Sequence, residues 1–133
     1  MAVLGIDIGG TKLAVGAVNA DGEILGMAET PTRAAEGPER VLDRVVGIAK
    51  DVLAMPGVSR RVIERIGIAC SGPMDREAGL VFKAPNMPGW IRVPVVKHIE
   101  DALALPAILE NDANAAALGE FRYGVGKGVD SLV

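Results

Sequence analysis

The chain is poor in residues that staple, anchor or span. It has one cysteine in 133 residues. Cys70 therefore cannot form an internal disulfide, and no cysteine cluster has zinc-ligand spacing. Aromatic residues make up 3% of a chain that is 50% hydrophobic, so the core must be Ala, Val, Ile and Leu. No apolar run approaches the ~20 residues of a membrane helix. There is no excess of basic residues: 14 Lys and Arg face 17 Asp and Glu, a net charge of −3. That balance argues against a general nucleic-acid binder. The one basic cluster, Arg60-Arg61 before Arg65, reads as a solvated helix end. No basic region precedes the first apolar residues, and Asp7 interrupts them, so the start is not a signal peptide. The expectation is a soluble, cytoplasmic protein without membrane or nucleic-acid partners, long enough for one domain with a real core.

What is present begins almost at the first residue. Leu4-Gly5-Ile6-Asp7-Ile8 is an apolar strand carrying a carboxylate near its end. Gly9-Gly10-Thr11-Lys12 follows, and Leu13-Ala14-Val15-Gly16-Ala17-Val18 reads as a second strand. Two glycines let a backbone bend sharply and approach a ligand closely. Successive N–H groups in such a turn make an anion-binding concavity. Thr11 adds a hydroxyl and Lys12 a positive charge. Asp7 suits a water-shelled Mg²⁺, which is usually held through one or two carboxylates plus phosphates. The plainer reading is a β-hairpin with a Gly-Gly turn, and both readings are compatible. A P-loop is excluded, because it needs Gly-Lys-Ser/Thr and a helix where this chain has a strand. Gly124-Val125-Gly126-Lys127-Gly128 has the wrong spacing for a dinucleotide fingerprint.

The organisation is that of an α/β protein. Residues 2–7, 12–19 and 23–30 read as three strands, with a strong turn at Asn19-Ala20-Asp21-Gly22, giving an antiparallel meander. Residues 31–37 read as a loop. Residues 38–54 read as a helix, with Pro38 in its first turn and Val41, Leu42, Val45, Ile48, Ala49, Val52 and Leu53 at helical spacing. Residues 65–70 form a short apolar strand, in which Cys70 is a buried small hydrophobe. Residues 71–93 read as long and irregular, which in a compact domain is usually functional or disordered. A helix from 94 to 104, a strand at 106–109 and a helix from Asn111 to Tyr123 complete a sheet of mixed direction.

Three further segments carry chemistry. Asn111-Asp112 sits at a strand-to-helix junction, where ligands bind in open α/β sheets. A carboxylate there can take a proton from a sugar hydroxyl attacking a phosphoryl group. A helix cap is the plainer reading, but a cap needs only one of the two. Pro85-Asn86-Met87-Pro88-Gly89-Trp90 offers an amide that can read sugar hydroxyls with donor and acceptor, or else a turn anchored by Trp90. Ser71-Gly72-Pro73 is either a close-approach turn or a simple strand end. His98, among Lys97, Glu100 and Asp101, reads as exposed and not catalytic.

Together these segments resemble the ROK family of sugar kinases and sugar-responsive repressors. The matching stretches are Leu4 to Lys12, Gly67 to Asp75, Ala84-Pro85-Asn86 with Gly89-Trp90, and Glu110 to Glu120, in family order. Cys70 departs from the pattern, standing where a proline is frequent. The resemblance implies an actin-like ATPase (ribonuclease H-like) fold, with the meander extended by parallel strands and flanked by helices. It implies an ATP-dependent hexose kinase of the glucokinase kind, moving the γ-phosphoryl to the sugar 6-hydroxyl. Asp7, Gly9, Gly10, Thr11 and Lys12 would match the first phosphate motif, with Mg²⁺ at Asp7 through water. Asp112 would match the catalytic base, and Ser71, Gly72, Asn86, Asn111 and Asp112 the sugar ligands. Residues 1–123 would be the N-terminal nucleotide- and sugar-binding domain, and 124–133 the connection to a second domain holding a further phosphate loop and any structural zinc. The full-length protein is expected to be a homo-oligomer, and this chain alone inactive. Ser131-Leu132-Val133 reads as the start of a strand, which suggests that the chain continues. The alternative is the sugar-sensing domain of a ROK-type repressor. It would need a DNA-binding module before the first strand, where Met1 already stands.

Overall fold

The computed structural model describes residues 2–59 and 62–110. Three strands open the chain: β1 (Ala2–Ile8), β2 (Lys12–Asn19) and β3 (Ile24–Pro31). They pair antiparallel in sequence order, as expected from the Asp21-Gly22 turn, where Gly22 has φ 83°. Asn19 locks that turn by accepting hydrogen bonds at its Oδ1 from the N–H groups of Asp21 and Glu23, each at 3.0 Å. Helix α1 (Pro38–Leu53) follows a single 3₁₀ turn at Ala34–Glu36. Pro38 occupies its first position, where its missing N–H costs nothing. A second, one-turn helix, α2 (Pro56–Ser59), was not apparent in the sequence.

Strand β4 (Ile63–Cys70) then lies parallel to β1, and β8 (Ala107–Glu110) parallel to β4. The main sheet thus runs β3-β2-β1-β4-β8. Strand β4 begins two residues earlier than the apolar run suggests, because Ile63 pairs with Ala2. Residues 71–93, expected to be irregular, hold a second antiparallel sheet of β5 (Met74–Asp75), β6 (Leu80–Lys83) and β7 (Ile91–Val93). Helix α3 (Val95–Leu103) links it to β8 and ends at Ala104, whose left-handed φ of 57° turns the chain out of the helix.

Strands β1 and β2 are buried almost throughout, and alternation decides which of their residues face the main core. Leu4, Ile6 and Ile8 of β1 join Leu13, Val15 and Ala17 of β2 and Ile66, Ile68 and Cys70 of β4 in one core. Val41, Leu42, Val45, Ala49 and Val52 of α1, and Val95 and Ile99 of α3, close it. Each Val, Leu or Ile among them contributes roughly 1.5–3 kcal/mol when fully buried. Trp90, 1% exposed, also belongs to the core and anchors its loop. His98 is not fully exposed as expected: its ring is half-buried, with Nε2 3.0 Å from Oδ1 of Asp43 on α1. Among the described residues, no helix is long and apolar enough to cross a membrane. The helix expected from Asn111 to Tyr123, residues 124–133 and Arg60-Arg61 lie outside the described residues.

Candidate functional site

The parallel strands β1 and β4 finish side by side, with Ile8 paired to Cys70. The chain leaves β1 into Gly9-Gly10-Thr11 and leaves β4 into Ser71-Gly72-Pro73. Both turns therefore sit on one edge of the sheet. In the first, the Gly9 N–H donates to the Lys12 carbonyl at 3.1 Å. A Cβ on Gly9 would lie 2.9 Å from that same oxygen, so the closure demands glycine.

Asp7 alternates away from Ile6 and Ile8, onto the face where it stands level with Ala14 of β2 and Ala69 of β4. Burial pushes its carboxyl above the ordinary value of 3.8, and the nearby Lys12 ammonium partly offsets this. A raised carboxyl at a strand end gains from a cation or a positively polarised partner, which suits the metal role. Among the described residues, no group of three or more His, Cys, Asp or Glu side chains is placed to hold a metal by itself. Lys12 is directed elsewhere than expected: its Nζ pairs with the Glu29 carboxylate at 2.7 Å, a pair that holds the ammonium charged. The register explains the partner, since Glu29 lies opposite Ala14, two residues along β2 from Lys12 and on the same face.

The second turn is a close approach. Gly72 has φ +107°, a conformation that costs a side-chain-bearing residue dearly. A Cβ there would lie 2.1 Å from the Lys83 carbonyl oxygen, at the end of β6. The third element is the loop after β6. Its Met87 N–H donates to the Ala84 carbonyl at 3.2 Å. Asn86 is left-handed at φ 60°, which asparagine tolerates better than most residues. The loop reaches the first turn: an ideal Cβ on Gly10 would be 3.7 Å from both Asn86 Cβ and the Pro85 carbonyl oxygen.

These pieces enclose a cavity of about 380 Å³ lined by Ile8, Gly10, Thr11, Ser71, Ala84, Pro85, Asn86 and Met87. That volume lies within the roughly 300–1,000 Å³ usual for small-molecule sites. Of the residues expected to act, Gly10, Thr11, Ser71 and Asn86 share this cavity. Asp7, Gly9, Lys12 and Gly72 are not among the residues that line it. Asn111 and Asp112 lie outside the described residues. The strand leading to them, β8, ends at Glu110, which stands level with Ala69 of β4 and so with Asp7. Arg76, in the turn between β5 and β6, holds the Glu110 carboxylate at 2.7 Å.

One residue escaped sequence reasoning. Thr32, in the stretch read as a loop, is fully buried, the one buried polar side chain among the described residues. Its Oγ1 donates to the Gly9 carbonyl at 2.6 Å, and its N–H donates to the Thr11 carbonyl at 2.9 Å. A threonine beside Pro31 looks like turn chemistry, and nothing local marks it as buried.

Comparison with known proteins gives a consistent picture. The ROK family profile matches residues 3–133. A glucokinase of Streptomyces coelicolor is 37% identical over 130 residues, which cover 98% of this chain and 38% of that protein. The N-acetylmannosamine kinase of Escherichia coli is 37% identical over 122 residues, covering 92% of this chain and 40% of that protein. The crystal structure of a ROK hexokinase from Thermus thermophilus superposes with a TM-score of 0.77 at 37% identity, over 95% of this chain and 41% of that one. A ROK family glucokinase from Streptomyces griseus, in complex with glucose and AMPPNP, gives 0.72 at 36% identity, over 96% and 38%. This chain thus spans about two fifths of the length of the relatives it matches.

Proposed function

The chain belongs to the ROK family, with the actin-like α/β fold of its sugar kinases, and from that membership we propose that residues 1–123 form the first domain of an ATP-dependent hexose kinase of the glucokinase type. The observation that carries this reading is the shared cavity. One small space is lined by a glycine-rich anion turn, Gly10-Thr11, and by two polar groups suited to a sugar, Ser71 and Asn86. Phosphoryl transfer is mostly positioning and electrostatic stabilisation, and on this reading a phosphate cradle and a sugar wall would lie in contact.

Bound MgATP would supply the γ-phosphoryl group, with its charge partly neutralised by the metal. The amides around Gly10 and the Thr11 hydroxyl would hold phosphate oxygens, and Asp7 would hold a water of the Mg²⁺ shell. Ser71 and Asn86 would orient the hexose. Asp112 would accept the proton of the sugar 6-hydroxyl, and Asn111 would bind a neighbouring hydroxyl. Asp112 follows in sequence two residues after Glu110, the last residue of β8, and β8 runs parallel to β4, which supports that role. The 133-residue chain would be inactive alone, because the cavity supplies only one wall of a nucleotide site. The test is a coupled assay on the full-length protein with ATP, Mg²⁺ and either glucose or N-acetylmannosamine. Saturable production of a sugar 6-phosphate is expected. No turnover with any hexose would overturn the proposal.

A further inference from the structure

We propose that Thr32 is a positioning residue for the phosphate turn, fixing which way the Gly9–Gly10 peptide faces. This rests on reading that turn as the nucleotide-phosphate cradle. The peptide lies between two glycines, so little steric resistance opposes rotating it by half a turn. Its two faces are opposite in charge. In a trans peptide the C=O and the following N–H point in opposite directions. Whichever way the Gly9 carbonyl points, the Gly10 N–H points away from it. An outward N–H attracts phosphate, and an outward carbonyl repels it.

Thr32 decides between them. Its Oγ1–H donates to the Gly9 carbonyl at 2.6 Å. A carbonyl can only accept, so the direction of this bond is not in doubt. It turns the Gly9 oxygen toward the protein interior and leaves the Gly10 N–H directed away from Thr32. Gly10 and Thr11 line the cavity, whereas Thr32 is fully buried behind them. The Thr32 N–H holds the far end of the same turn through the Thr11 carbonyl at 2.9 Å. Thr32 is itself held: Nη1 of Arg44 on α1 donates to its carbonyl, and Nη2 of Arg44 pairs with Glu36. A chain of contacts thus runs from α1 through Thr32 to the turn. The turn itself abuts Asn86 at Gly10, but none of these hydrogen bonds of Thr32 and Arg44 goes to Ser71 or Asn86.

That separation supplies the test. Thr32→Val keeps the side chain's shape and removes its hydroxyl, and Thr32→Ser keeps the hydroxyl. Binding of MgAMPPNP and of glucose to the full-length protein is measured by calorimetry, without turnover. Hydrogen bonds to charged groups are worth enough to shift affinity by roughly 10-fold or more. The valine variant should therefore bind MgAMPPNP about 10-fold more weakly and glucose within about twofold of wild type, with serine restoring nucleotide affinity. Nucleotide binding within about twofold of wild type in the valine variant, or an equal loss for both ligands, overturns the proposal. Should the valine variant fail to fold, Thr32→Ser and Arg44→Met decide. Native nucleotide affinity in the serine variant with about threefold weaker nucleotide binding in Arg44→Met supports the proposal, and native affinity in both overturns it. Wild-type protein that binds no MgAMPPNP removes the phosphate-turn reading, and this proposal falls with it. Wild-type binding together with an unaffected valine variant removes the positioning role alone.

Discussion

Gly72→Ala puts the close approach at the second turn under direct strain. Two costs follow from the geometry. The backbone at φ +107° lies where an alanine is strained by about 1–3 kcal/mol. The new Cβ would sit 2.1 Å from the Lys83 carbonyl oxygen and 3.2 Å from its carbon. Both atoms are backbone, so no side-chain rotation relieves the clash, and forced displacement of packed atoms costs about 1–3 kcal/mol. The total is about 2–6 kcal/mol if the costs simply add. Part would be relieved by pushing the end of β6 outward, which moves Ala84, Pro85 and Asn86 off the cavity. Urea unfolding should show a fall in midpoint with an unchanged slope, and sugar affinity should fall further than nucleotide affinity. The control is Gly47→Ala on α1, where a Cβ meets nothing within 4 Å. It should stabilise by up to about 1 kcal/mol. A Gly72→Ala protein within about 0.5 kcal/mol of wild type, the ordinary range of inert surface changes, would refute the close-approach argument.

Other perturbations test separate features. Asp112→Asn in the full-length protein should lower turnover by ~10²–10⁴-fold while glucose binding persists, and near-normal turnover would reduce Asp112 to a helix cap. Asp7→Asn should raise the melting temperature of the nucleotide-free protein at pH 7, because burial raises this carboxyl and its charged form opposes folding. A group with a raised folded pKa gives its full stabilisation below its unfolded pKa and loses it as pH rises. The advantage of asparagine should therefore vanish at pH values below the ordinary carboxylate range, and thermal melts from pH 3 to 7 check this. The Cys70 thiol, pushed up to about 12 by burial, should resist alkylation at pH 8 until the protein is unfolded. Its contribution to stability should be complete below the ordinary thiol value of 9.0 and fall as pH rises from there toward 12, as urea titrations at pH 8 and 10.5 would show.

The legibility of the sequence varied with the range of the forces involved. The meander was readable because its signals are local: the apolar runs Leu4–Ile8 and Leu13–Val18 and the Asn19–Gly22 turn. Helices α1 and α3 were readable from apolar spacing. Strands β5 to β7 were not, because they have two, four and three residues. Those lengths are too short for alternation to emerge among prolines and glycines. Gly10, Thr11, Ser71 and Asn86, singled out for the chemistry of their residue types, line one cavity. The destination of Lys12 depended on a cross-strand neighbour, and the importance of Thr32 on two carbonyls about twenty residues away in sequence. Neither relationship leaves a trace in local pattern.

The strand order has a consequence for how the chain acquires its shape. β1, made before the other strands of this sheet, ends up in its middle, with β2 on one side and β4 on the other. The β2 side can be filled at once, since a hairpin forms in about 1–10 μs. The β4 side must wait until Ile63–Cys70 has been synthesised, 62 residues after Ile8 completes β1. At ~5–20 residues per second that interval lasts seconds. Throughout it, a nascent meander presents Val3, Leu4, Ile6 and Ile8 on an open backbone edge, the kind of surface that recruits a second copy. Asp7, the last residue but one of that strand, is the one charge in it. A charge within an apolar strand disfavours strand-to-strand pairing, so Asp7→Val is expected to raise aggregation during refolding, which light scattering would check.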